Sequence, residues 1–211
     1  MNAWNLYVIV DAASAGKRNP AELAHAALDG GADVIQFRSK LVSEKEFFQQ
    51  AEKILQVCRK FDRPFVVNDR IAVALALGAE GIHLGQDDLP LEQARRLIGS
   101  KAFIGVSTHS LTQAQKAEEQ GADYIGVGPV FSTPTKPSYE PVGLDLVRQV
   151  HQSVMIPKVA IGGIDLSNAS RVVEEGARCI AVVRAVCAAA DPSFAAKELK
   201  NLLRIPHSKR V

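Results

Sequence analysis

Four times the chain spells Gly-Ala-x-x-Ile: Gly31-Ala-Asp-Val-Ile, Gly78-Ala-Glu-Gly-Ile, Gly121-Ala-Asp-Tyr-Ile and Gly176-Ala-Arg-Cys-Ile. Each copy follows a stretch of helical character and opens a strand-like apolar run. Glycine suits the left-handed residue that ends a helix. The copies lie 47, 43 and 55 residues apart (78 − 31, 121 − 78, 176 − 121). One strand–helix unit is too short to fill such an interval, but two fit. A further strand candidate lies in or before each gap: Leu6 to Val10, Phe65 to Val67, Phe103 to Val106 and Lys158 to Ile161. Eight strands alternating with helices predict an α/β fold, a single (β/α)8 TIM barrel over residues 1–211.

Composition narrows the function classes. With 211 residues, 47% of them hydrophobic, the chain can bury a substantial core. Its net charge of +2 gives no basis for broad nucleic-acid binding, so any anion site is local. Cys58, Cys179 and Cys187 have neither metal-type nor redox-type spacing. Cys58 and Cys179 sit in apolar stretches and are expected to be buried free thiols. An odd count without a disulfide pattern fits a reducing cytoplasm. The start of the chain lacks a signal-peptide pattern, and no apolar run reaches the ~20 residues of a membrane span. A cytoplasmic enzyme of small molecules, with a homo-oligomer as an option, is the expectation.

Local signals place the elements. Asn19 caps a helix that opens at Pro20. Asp11 to Asn19, small and basic, is expected to be a loop with freedom to move. The second strand, Asp33 to Phe37, runs into Arg38-Ser39-Lys40. Ser43 and Glu46 have capping-box spacing ahead of a long helix to Lys60. Phe65 to Val67 stops at Asn68-Asp69, Ile71 to Leu77 is helical, and Gly81 to Leu84 stops at Gly85-Gln86-Asp87-Asp88. Leu91 to Ile98 and Ser193 to Leu203 are further helices. The sixth strand, Tyr124 to Val127, leads into a long loop through Thr133-Pro134-Thr135-Lys136. The seventh ends in Gly162-Gly163 and the eighth at Val183-Arg184.

In such barrels the reaction takes place on the loops that follow the strands. Here those loops concentrate Gln36, Arg38, Lys40, Asn68, Asp69, Asp88, Ser107, His109, Thr133, Thr135, Lys136, Gly162 and Gly163. Parallel neighbours lie about 4.8 Å apart. Asp69 and one of Asp87 or Asp88 could therefore share a hard cation such as Mg²⁺. Arg38, Lys40 and Lys136 suit a polyphosphate. Gly162-Gly163 suits a monophosphate, because glycine lets backbone N–H groups approach an anion. His83, inside a strand, reads as a core or lining histidine rather than a ligand. His109, past a strand end, is within reach of substrate. Two anion sites point to a transferase joining two phosphorylated small molecules.

The motifs Gln36-Phe-Arg-Ser-Lys40, Val67-Asn-Asp-Arg70, Gly81-Ile-His-Leu-Gly-Gln-Asp-Asp88, Gly105-Val-Ser-Thr-His109, Gly126-Val-Gly-Pro129, Thr133-Pro-Thr-Lys136 and Ile161-Gly-Gly-Ile164 occur in this order. With them the chain resembles the thiamin phosphate synthase family over nearly its whole length. The resemblance implies coupling of 4-amino-2-methyl-5-pyrimidinylmethyl diphosphate to a thiazole phosphate, with release of diphosphate. It implies that Gln36, Phe37, Arg38, Ser39, Lys40, Asn68, Ser107 and Lys136 bind the pyrimidine diphosphate. Asp69 and Asp88 would hold Mg²⁺. Thr133, Pro134, Thr135, Gly163, Val183 and Arg184 would bind the thiazole phosphate. The family typically carries serine where this chain has Arg184.

The chemistry expected is a dissociative substitution, with Mg²⁺, Arg38, Lys40, Ser107 and Lys136 acting on the diphosphate side. Two other readings stand beside it. A thiazole tautomerase of the same superfamily would use His109 as base, and a sensor would bind a phosphate ligand without reaction.

Overall fold

The repeat marks the joints between helices and strands. In the computed structural model, which describes residues 4–40, 42–134 and 140–204, Gly31, Gly78, Gly121 and Gly176 all have φ between 63° and 97°. A side chain is strained there, so each glycine ends its helix and turns the chain into the next strand.

Eight parallel strands close into a barrel in sequence order: β1 (Leu6–Asp11), β2 (Val34–Arg38), β3 (Phe65–Asn68), β4 (Gly81–Leu84), β5 (Phe103–Thr108), β6 (Tyr124–Val127), β7 (Lys158–Ile161) and β8 (Ile180–Val182). The barrel is sealed by the pairing of β1 with β8, Leu6 opposite Ile180. Around it run α1 (Ala12–Ala15), α2 (Pro20–Asp29), α3 (Glu44–Lys60), α4 (Ile71–Leu77), α5 (Leu91–Ile98), α6 (Leu111–Glu119), α7 (Gly143–Ser153), α8 (Ala169–Glu174), α9 (Arg184–Cys187) and α10 (Pro192–Arg204). The capping box of Ser43 and Glu46 opens α3, and Asn19 caps α2.

Apolar side chains form two layers. The larger lies between strands and helices, where Phe37 packs on Phe47 with ring centroids 4.6 Å apart. The smaller fills the barrel with Tyr7, Ile9, Val34, Val66, Tyr124, Val159, Cys179 and Ala181. Gly105 makes room for Tyr124: a Cβ there would stand 2.0 Å from the tyrosine Cζ. At the N-terminal end, one oxygen of buried Asp33 accepts from the Asn5 and Leu6 amides and from Lys200, which ties α10 to β1. All three cysteines are buried, and burial pushes the Cys58 and Cys187 thiols up to about 12. No helix among the described residues is long and apolar enough to cross a membrane.

Two expectations change. Asp11 to Asn19 is not a free loop. Its first half is α1, capped by Asp11, whose Oδ1 accepts from Ser14 N at 3.0 Å. Arg18 donates to the carbonyls of Cys187 and Ala189, which fixes the segment to the end of α9. The eighth strand ends at Val182, and Arg184 opens α9 instead of extending the strand.

Candidate active site

The C-terminal ends of the strands surround a cavity of about 430 Å³. Strand alternation selects what faces it. Gln36 and Arg38 of β2 line the cavity, whereas Phe37 between them faces outward into the helix layer. Ser39 is also buried away from the cavity, with its hydroxyl unpaired among the described residues and its carbonyl accepting from Arg70. The side chains of Phe37 and Ser39 therefore do not belong to the lining, although the resemblance assigns both residues to the pyrimidine diphosphate. Alternation along a strand sends adjacent side chains to opposite faces.

Asn68, Ser107, His109, Thr133, Pro134, Gly163, Val183 and Arg184 line the cavity. Thr135 and Lys136 lie outside the described residues. Lys40 is exposed outside the lining but stands close enough to Asp69 to favour its charged form. Asp69 and Asp88 sit beyond the lining, at the rim.

Those two carboxyls face each other. Asp69 has φ 61°, a left-handed conformation that is costly for a residue with a side chain and tolerated best by Asn and Asp. Its amide continues the β3–β4 ladder by donating to the His83 carbonyl at 2.9 Å. Burial, together with a hydrogen bond to Asp88 and repulsion from its charge, pushes the Asp69 carboxyl up to about 7, while Lys40 and Arg38 oppose the shift. One Asp88 oxygen accepts from Gly85 N at 2.6 Å, which holds the loop after β4. No group of three or more His, Cys, Asp or Glu suited to a metal occurs among the described residues. A cation held here would thus rely on two carboxylates and on ligands brought by substrate and water.

Arg38 is held from the other side. Its guanidinium pairs with Asp11, a carboxylate that is 1% exposed. Asp11 spends its other oxygen on the α1 cap, so it is occupied and unlike a metal ligand.

At the opposite wall the loop after β6 lies directly on the loop after β7. Val130 N donates to the Ile161 carbonyl at 2.8 Å and Phe131 N to that of Gly162 at 3.0 Å. A Cβ at Gly162 would come within 2.4 Å of Pro129, and one at Gly163 within 2.6 Å of the Ser132 carbonyl. Only glycine permits this approach, and both residues have positive φ. Among the described residues the Gly163 amide has no backbone carbonyl partner. Arg184, exposed on the same wall, forms no ion pair among the described residues.

His109 donates from Nδ1 to the Gly128 carbonyl, and its own amide donates to Gln113 Oε1 at 2.7 Å. His83 lines the cavity, as a strand-borne lining histidine should. Sequence reasoning missed its neighbours: Tyr7 and Tyr124, buried inside the barrel, join Gln36, His83 and Ser107 in one hydrogen-bonded series. The available signal was that a tyrosine within an apolar strand, once buried, needs a partner for its hydroxyl.

A closed parallel barrel with a glycine wall, a basic cluster and paired carboxylates at its C-terminal mouth has the layout of a phosphate-binding barrel enzyme. The thiamine monophosphate synthase family model matches residues 6–186. A thiamine-phosphate synthase of Chloroflexus aurantiacus is 47% identical over 209 residues, covering 99% of this chain and 96% of that protein. Another, from Prochlorococcus marinus, is 47% identical over 85% of this chain, which spans 51% of that longer protein. A solved structure, the thiamine phosphate pyrophosphorylase of Pyrococcus furiosus, superposes with a TM-score of 0.87 at 40% identity and 95% coverage of both chains. The chain belongs to the thiamine monophosphate synthase family.

Proposed function

We propose that this protein is a thiamine-phosphate synthase, a transferase that joins a pyrimidinylmethyl diphosphate to a thiazole phosphate and releases diphosphate. The observation that carries the reading beyond family membership is the two-sided mouth of the barrel. One side offers Arg38, Lys40 and the Asp69–Asp88 pair. The other offers Thr133, Gly163 and Arg184. A diphosphate fits the first and a monophosphate the second. The relatives named above are synthases, and nothing favours a tautomerase or a non-catalytic sensor.

Asp69 and Asp88 would hold Mg²⁺. The fit rests on the two carboxyls sharing a hydrogen bond at the price of a raised Asp69 pKa. A cation between them would remove the repulsion. Bound there, Mg²⁺ would neutralise charge on the leaving diphosphate. Arg38 and Lys40 add donors to the same oxygens, Arg38 as a fork oriented by Asp11. Gln36, Asn68 and Ser107 line the part of the cavity that takes the pyrimidine ring, and the family resemblance assigns Lys136 to the pyrimidine diphosphate and Thr135 to the thiazole phosphate. The thiazole nitrogen attacks without losing a proton. The chain's remaining task is to hold it near the methylene carbon.

The elements from Leu6 to Arg204 make one barrel, which supports reading residues 1–211 as one domain. A cytoplasmic, small-molecule enzyme with no nucleic-acid partner fits a net charge of +2 and three unpaired cysteines. The test is an assay with both substrates and Mg²⁺. Thiamin phosphate and diphosphate should appear together. Rearranged thiazole phosphate alone would favour a tautomerase, and binding without product would favour a sensor.

A further inference from the structure

Five side chains form one series through the barrel interior. Gln36 Nε2 donates to the Tyr7 hydroxyl at 2.8 Å. The Tyr7 and Tyr124 hydroxyls are 2.9 Å apart, Tyr124 Oη is 2.9 Å from His83 Nδ1, and His83 Nε2 is 2.9 Å from Ser107 Oγ. Both ends, Gln36 and Ser107, line the cavity, and His83 lines it midway. The two tyrosines are at most 1% exposed, beneath the cavity floor.

Proton counting gives the series a direction. Each tyrosine has one O–H to give, and a neutral imidazole has one N–H and one lone pair. With Gln36 donating to Tyr7, the Tyr7 proton goes to Tyr124, and the Tyr124 proton goes to His83 Nδ1. His83 then carries its proton on Nε2 and donates to Ser107, whose hydroxyl proton is left for the cavity. The Gln36 carbonyl oxygen is likewise left for the cavity, as an acceptor. Turning Gln36 over would require every link to reverse, because two buried hydroxyls would otherwise meet proton to proton or lose a partner.

We propose that this Tyr7–Tyr124–His83 relay is a specificity device: it locks Gln36 as an acceptor and so selects a 4-amino over a 4-oxo pyrimidine. The inference rests on the synthase reading, which places the pyrimidine against Gln36 and Ser107. An exocyclic amine donates to the locked carbonyl. An oxo group meets it with a second lone pair. Both ring nitrogens of the amino compound accept from the Ser107 hydroxyl, whereas in the oxo compound one of them carries hydrogen and is a donor. Tyr7, Tyr124 and His83 are positioning residues, acting on the substrate through Gln36.

The experiment measures dissociation constants, by calorimetry with Mg²⁺ present, for the 4-amino- and 4-oxo-2-methyl-5-pyrimidinylmethyl diphosphates. The protein is used as the parent and as Tyr7→Phe and Tyr124→Phe. The parent should prefer the amino compound at least tenfold, the order expected when a buried carbonyl meets the wrong partner. Tyr7→Phe frees the amide to turn and should reduce that preference about tenfold. Tyr124→Phe leaves the Tyr7 proton without its acceptor, so it turns to the Gln36 oxygen. The amide flips, and the preference should collapse or invert. A role in packing alone would weaken both ligands equally and leave the ratio unchanged, and that result in folded variants overturns the proposal. Independently of any variant, ¹⁵N spectra of the parent bound to the amino compound should show His83 protonated on Nε2. Protonation on Nδ1 overturns it. A parent that makes thiamin phosphate but keeps its ratio in both variants loses the relay alone. A parent that binds neither diphosphate loses the synthase reading and the relay with it.

Discussion

The Arg38 guanidinium is clasped by Asp11, a carboxylate buried to 1% exposure at the end of the first strand. The partners differ in their access to water, since the Arg38 side chain keeps 14% exposure. Removing the arginine strands a buried charge, while removing the acid leaves a cation that can reach solvent. Arg38→Ala should therefore destabilise the protein by about 3 kcal/mol. Asp11→Asn should cost about 1 kcal/mol and keep the α1 cap, because asparagine caps nearly as well. Urea denaturation of both variants checks the order. The reverse order would mean that Asp11 is not the buried partner.

The Asp69 carboxyl supplies a pH dependence. Its pKa rises from about 3.8 unfolded to about 7 folded. Between those values the folded state binds more protons than the unfolded state, so stability falls as pH rises through that window. Without divalent metal, the melting temperature of the parent relative to Asp69→Asn should decline from pH 5 to pH 8. Added Mg²⁺ should restore the parent at pH 8 and leave the variant unchanged. A difference that grows with pH would contradict the shift.

Mg²⁺ and diphosphate should help each other bind by the same factor, because two carboxylates fill only part of an octahedral shell. Asp69→Asn and Asp88→Asn should each remove most of that coupling in a calorimetric titration, and lower turnover by about a hundredfold or more. Coupling that persists in both variants would place the metal elsewhere.

His109 holds the Gly128 carbonyl through Nδ1, and the coupling reaction needs no base. His109→Asn should keep synthase turnover within about tenfold of the parent, well short of the 10²–10⁴ lost with a general acid–base group. Steady-state kinetics decide, and a thousandfold loss would return the histidine to proton transfer.

Arg184 stands on the glycine wall with no ion pair among the described residues. Arg184→Ser should raise KM for the thiazole phosphate roughly three- to tenfold, the range left to an exposed charge contact. KM for the pyrimidine diphosphate should stay the same. Equal changes in both would place Arg184 outside the monophosphate pocket.

The sequence alone determined what depends on neighbours along the chain. The capping box at Ser43, Pro20 after Asn19, and the glycine of each Gly-Ala-x-x-Ile copy act within a few residues, so helix starts and strand starts were legible. Repetition of that local unit led to the barrel, and the barrel placed the strand ends at one mouth. What stayed hidden was which way each strand faces. Polar residues stand at Gln36, Arg38 and Ser39 alike, so composition did not separate Gln36 and Arg38, which face in, from Ser39, which is buried away from the cavity. Alternation along the strand is local, but only the barrel decided which of the two faces looks into the cavity. Pairing of β1 with β2 set Asp11 opposite Arg38 across 27 residues, and the closed barrel brought Tyr7 to Tyr124 across 117. Those partners have no spacing to betray them, because a hydrogen bond is made by distance in space, and the tertiary structure alone brings these strands together.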